Sequence, residues 1–141
     1  MLTTEFRAKL KLLVIKHEGR KNYPYTDTVG KITIGIGYNI TDRGLSDEWI
    51  DDEYDKDSSY FYYKLYEEFP FFKDLSANRQ IALIDMSFMG YQKIKGFKKM
   101  WAALEIRDYD RAADEMIDSK WAKQEPNRAN DLANIIKTDE L

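Results

Sequence analysis

Between Tyr23 and Asn39 the apolar residues of this chain change from a helical to a strand period: Ile32, Ile34 and Ile36 alternate with Thr33, Gly35 and Gly37. Side chains on a strand point to opposite faces in turn, so this stretch predicts a small hairpin or meander with the isoleucines on one face. The preceding "TDTVGK" has turn chemistry. Glycine on the threonine face leaves room for a ligand to approach the backbone. The rest of the pattern is helical, so the chain is expected to be α+β and mainly helical.

Phe6, Leu10, Leu13, Val14 and His17 recur at helical spacing and predict an amphipathic helix over residues 4–17, leaving at Gly19. Glu18 then sits at a helix C-terminus, where unpaired carbonyls disfavour negative charge and help a carboxyl keep its proton. Ser46, followed by Asp47 and Glu48, predicts the start of a long helix running toward Pro70, with a break at Ser58 and Ser59. Ser76 is placed to cap a helix through Phe88. Gly96 and Asp108 punctuate the next pair, and Pro126 fits the first turn of a last helix.

The chain has 141 residues, enough for one domain or two joined lobes, and no cysteine, which excludes disulfides, thiolate metal sites and a cysteine nucleophile. A net charge of -3 gives no general pull toward nucleic acid, and little long-range steering toward any polyanion. The apolar patch in "MLTTEFRAKLKLLVIKHEG" is short, interrupted by lysine and without a small-residue cleavage site, so no signal peptide is expected. No run is long enough for membrane insertion.

Chemistry concentrates in one stretch: Glu18, eight residues, Asp27, five residues, Thr33. Cleaving a glycosidic bond takes one carboxylic acid to protonate the leaving oxygen and a second carboxylate to activate water or stabilise charge on the sugar. Taken singly, Glu18 reads as a solvated helix-end carboxylate, Asp27 as a turn aspartate and Thr33 as a strand threonine. His17 has no convergent partners that would make a metal site. The run "SDEWIDDEYDKD" lacks the ligand order of a calcium loop and reads as a solvated helix face. The aromatic stretch from Tyr60 to Phe72, with Met86, Met89 and Met100, reads as core.

With "HEG", "YTDTVGKITIGIGYN", "LSANRQIALIDMSFMG" and "SKWAKQEPNRA" in order, the sequence resembles the phage-type lysozymes over nearly its whole length. The resemblance implies a two-lobed fold. One lysozyme domain would cover residues 1–141, with a small β lobe at 18–57 and a helical lobe at 58–141 onto which helix 1–17 packs. It implies hydrolysis of the β-1,4 bond between N-acetylmuramic acid and N-acetylglucosamine in bacterial peptidoglycan, without a cofactor or metal. Glu18 would be the general acid, with Asp27 and Thr33 placing or activating water. Tyr25 and Arg128 would support the site, Arg128 as the arginine that pairs with the glutamate. Asn39, Phe88, Met100 and Glu115 would line the sugar cleft, and Tyr38 stands where the family's T-even member has a histidine.

Inversion, which the resemblance also implies, requires the two carboxyl groups to stand roughly 6.5–9.5 Å apart. The resemblance further suggests a monomer, made in a host cytoplasm and acting on the wall after release, as phage endolysins do. The rival readings are a module that binds peptidoglycan without cutting it, and a helical interaction domain with no affinity for sugar.

Overall fold

A computed structural model describes residues 1–141. It is mainly helical α+β and forms two compact units, Met1–Glu53 and Tyr54–Leu141. No helix is long and apolar enough to cross a membrane.

The first unit opens with α1 (Thr4–Glu18), capped by Thr3, whose hydroxyl accepts from the Phe6 amide at 3.1 Å. The Gly19 amide closes the other end on the Ile15 carbonyl at 2.7 Å. No residue of α1 is buried, and Phe6, Leu10 and Leu13 are about half exposed. Strands β1 (Lys21–Thr26), β2 (Ile32–Gly35) and β3 (Tyr38–Asn39) follow as an antiparallel sheet in chain order. Pro24, which cannot donate to a ladder, lies on edge strand β1 within the irregular register between Lys21 and Tyr25.

Two expectations change here. The alternation stops at Gly35, and Ile36 with Gly37 makes the turn into β3. The buried face is also not the isoleucine face: Thr33 is 5% exposed and Ile32 48%. Thr33 lies on the middle strand between Tyr25 and Asn39, whereas the Ile34 side opens onto a cavity. After the short helix α2 (Ile40–Arg43), Ser46 caps α3 (Asp47–Glu68) by accepting from the Trp49 amide at 3.1 Å. The expected break is absent. Ser58 is accommodated within the helix, its hydroxyl turned back to the Asp55 carbonyl 3.2 Å away.

The second unit takes the rest of α3, a 3-10 turn at Pro70–Asp74, and helices α4 (Ala77–Ser87), α5 (Tyr91–Lys95), α6 (Lys98–Glu105), α7 (Tyr109–Ile117), α8 (Lys120–Gln124) and α9 (Pro126–Thr138). In α9, Ala129, Leu132, Ala133 and Ile136 follow the 3.6-residue period and are buried where α9 packs on α4 and α7. Leu65, Phe72, Leu83, Met86, Met100 and Met116 have no exposed surface, and Phe61, Tyr62, Phe69, Phe71 and Met89 are partly buried against them. Tyr60, Tyr63 and Tyr66 of the same aromatic stretch are 52%, 67% and 47% exposed, so the stretch is core on one side only. Phe69 stacks flat on Trp101 with ring centres 3.7 Å apart, and the indole of Trp101 donates to the Ile94 carbonyl at 2.9 Å.

The ends of this unit are locked together by polar contacts. Ser76 caps α4 and donates to the Asp139 carboxylate, while Arg79 donates to the Ile136 carbonyl at 2.7 Å and lies 3.5 Å above the Tyr109 ring. Burial, with the Glu68 carboxylate beside it, pushes the Tyr91 phenol above its ordinary value of 10.0. The unfolded phenol loses its proton as pH passes about 10 while the folded one keeps it, so unfolding gains ground as pH rises further. Tyr91→Phe is therefore expected to flatten the alkaline limb by up to about 1.4 kcal/mol per pH unit. Denaturant titrations at pH 9 and pH 11 measure this.

Candidate active site

Glu18 is the last residue of α1, and its carboxyl rests against the β2–β3 turn. A Cβ placed on Gly37 would lie 2.8 Å from Glu18 Oε2 and 2.9 Å from its Cδ and Cγ. Gly37 has φ +66°, a conformation that L side chains disfavour, so both backbone and space call for glycine at this position. The "GIG" of the sequence is thereby tied to the glutamate physically.

Asp27 occupies the β1–β2 turn and organises it. Its Oδ1 accepts from the Val29 amide at 3.0 Å and the Lys31 amide at 2.8 Å, and its own amide donates to the Lys31 carbonyl at 2.8 Å. This is the turn role the residue type alone predicts. Because both bonds fall on Oδ1, Oδ2 remains for water or substrate. Lys31 is drawn to Asp42 of α2 at 2.9 Å, and that hydrogen bond raises the lysine and lowers the aspartate from their ordinary values. The Ile32 amide donates to Thr41 Oγ1 at 2.7 Å, so the turn is tied to α2 at two points.

Cross-strand pairing sets Tyr25, Thr33 and Asn39 side by side across the three strands. The Thr33 hydroxyl is buried and makes no hydrogen bond to the protein. Such a group costs ~1–3 kcal/mol unless a polar group from outside the chain satisfies it. Asn39 also joins α2: its Oδ1 caps that helix by accepting from the Asp42 amide at 3.1 Å, and its Nδ2 donates to the Asp42 carboxylate at 2.9 Å. Its observed role is thus to hold the sheet edge and α2 together.

In the second unit, Met100 and Glu115 line one cavity of about 410 Å³ with Lys98, Lys99 and Ser119. Met100 has no exposed surface and shapes that wall from beneath. Phe88 lines a different cavity of about 410 Å³, which it shares with Tyr54, Asp85 and Arg128. Phe88 and Tyr54 stack there with ring centres 6.0 Å apart.

Arg128 reaches from α9 to α4, where its Nε donates to Asp85 Oδ1 and its Nη2 to the Asp85 carbonyl, both at 2.8 Å. Glu125 lies 3.7 Å from the same guanidinium. Sequence reasoning missed Asp85. The signal was there in part: Asp85 is the lone acid inside the apolar run "IALIDMSF", although its side chain stays 46% exposed, so burial alone does not demand a partner.

The mainly helical α+β architecture, with a helix-terminal glutamate against a glycine turn and a hairpin held by aspartate, is consistent with a lysozyme-like fold. No family model matches the chain, but full-length relatives do. "Probable T4-type lysozyme 1" of Dictyostelium discoideum is 30% identical over an alignment of 155 positions that spans 88% of this chain and 91% of that protein. "Probable T4-type lysozyme 2" of the same organism is 27% identical over an alignment of 164 positions, spanning 95% and 96%. The chain belongs to the T4-type lysozyme family.

Proposed function

We propose that this protein is a glycoside hydrolase that cleaves the β-1,4 bond between N-acetylmuramic acid and N-acetylglucosamine in bacterial peptidoglycan. Glu18, held against Gly37, is the observation that carries this reading, with membership of the T4-type lysozyme family beside it. In this scheme the Glu18 carboxyl gives its proton to the glycosidic oxygen as the bond to C1 breaks. A water oxygen bonds to C1 from the opposite face, and the proton it loses passes to Asp27. The free Oδ2 of Asp27 and the unsatisfied hydroxyl of Thr33 suit that water. No cofactor enters the scheme, and its place of action is the wall, after release from the producing cell.

Purified chain incubated with peptidoglycan sacculi is expected to release fragments with new muramic-acid reducing ends. The first-formed anomer, read by NMR before mutarotation, should be α. A β product means retention and a nucleophilic Asp27. Sedimentation with sacculi without new reducing ends identifies a non-catalytic wall-binding module instead.

A further inference from the structure

The face of the sheet turned away from Thr33 opens onto a cavity of about 630 Å³ within the first unit. Its apolar wall is Ile34, the ring of Tyr38, Leu45 and Trp49, and its rim carries Lys21 and Arg43. Both the size and the mix of an apolar floor with a few polar groups suit a small-molecule site. Trp49 and Leu45 are 49% and 43% exposed, a large apolar surface to leave in water.

The polar groups around it are informative. The Tyr38 hydroxyl commits its proton to the Gly44 carbonyl, and Ser46 Oγ accepts from the Trp49 amide. The two cations, in contrast, have no carboxylate partner. Arg43 stacks over the Tyr38 ring at 4.2 Å, which orients its guanidinium without neutralising it. Lys21, paired with Gly35 across the strands, forms no ion pair.

We infer that this cavity binds a carboxylate carried on an apolar chain. Arg43 and Lys21 take the carboxylate, and Ile34, Leu45 and Trp49 take the chain. Arginine's planar fork matches a carboxylate with two parallel hydrogen bonds. A single negative charge fits better than a phosphate dianion, because Asp47 and Glu48 follow directly on Ser46 in the first turn of α3. Glu18, Asp27 and Thr33 are not among the residues that line this cavity, and the assignment does not depend on the wall-sugar reading.

Titrating the full chain with decanoate below its micelle concentration tests the assignment. Trp101 and Trp121 are 5% and 7% exposed, so a change in solvent-sensitive emission reports on Trp49. A saturable blue shift is expected with decanoate, with decanol binding at least tenfold more weakly. Arg43→Gln should weaken decanoate binding about tenfold and leave decanol unchanged. Trp49→Phe should lose the shift while calorimetry still detects binding. Absence of saturable binding in both emission and calorimetry overturns the proposal, as does equal affinity for decanol or indifference to Arg43→Gln. Tighter binding of decyl phosphate overturns the carboxylate assignment.

Discussion

Glu18→Gln is expected to lower wall clearance by about 10²–10⁴-fold, the range that general acid catalysis supplies. The substitution keeps the shape of the side chain and removes only its ability to deliver a proton. Glu18 is exposed at the end of α1, and the bond that closes this helix runs from the Gly19 amide to the Ile15 carbonyl, not through the glutamate. Folding should therefore be untouched, with stability within ~0.5 kcal/mol of wild type. Affinity for sacculi, measured by sedimentation, should also persist, because the lost interaction is made in the transition state. A variant that clears walls at the parental rate would remove Glu18 from the mechanism.

Gly37→Ala is expected to reduce activity about 100-fold by displacing the same carboxyl, since a shift of about 1 Å in a reacting group can cost that much. Two effects add at this position. A side chain at φ +66° costs roughly 1–2 kcal/mol in the backbone. The new methyl would also stand 2.8–2.9 Å from three atoms of Glu18, and the flexible carboxylate arm yields before the turn does. Gly44→Ala separates the two effects: φ is +60°, but a Cβ there meets nothing within 4 Å. It should lose similar stability and keep its activity. Equal activity in the two variants, measured beside their melting temperatures, would show that the turn does not position the glutamate.

Features that depend on neighbours along the chain were legible before folding. Gly19 ends α1, Ser46 starts α3, Ser76 starts α4 and Pro126 starts α9, because caps and proline act within one helical turn. Asp27 in a turn was legible for the same reason, since its partners Val29 and Lys31 are two and four residues away. Other features depended on groups distant in the chain. Serines at 58 and 59 suggested a break, yet α3 runs on through them into the second unit, where Leu65 is fully buried. Arg128 was expected to pair with Glu18, and the partner it takes within its own unit, Asp85, is 43 positions away.

The sheet shows the division most clearly. Alternation along Ile32, Thr33 and Ile34 specifies a strand with two chemically distinct faces, because successive side chains must point opposite ways. Nothing in that alternation says which face is covered. Thr33, flanked by Tyr25 and Asn39 across the sheet, is buried, while Ile32 on the opposite face is exposed. The contact of Glu18 with Gly37, nineteen positions on, likewise exists only because the chain folds back. By itself the sequence determined the local elements and the residue types able to do acid–base chemistry, since propensity, capping and turn geometry act over a few residues. Tertiary structure alone decided which faces are buried and which distant groups meet, because burial and contact belong to the folded chain as a whole.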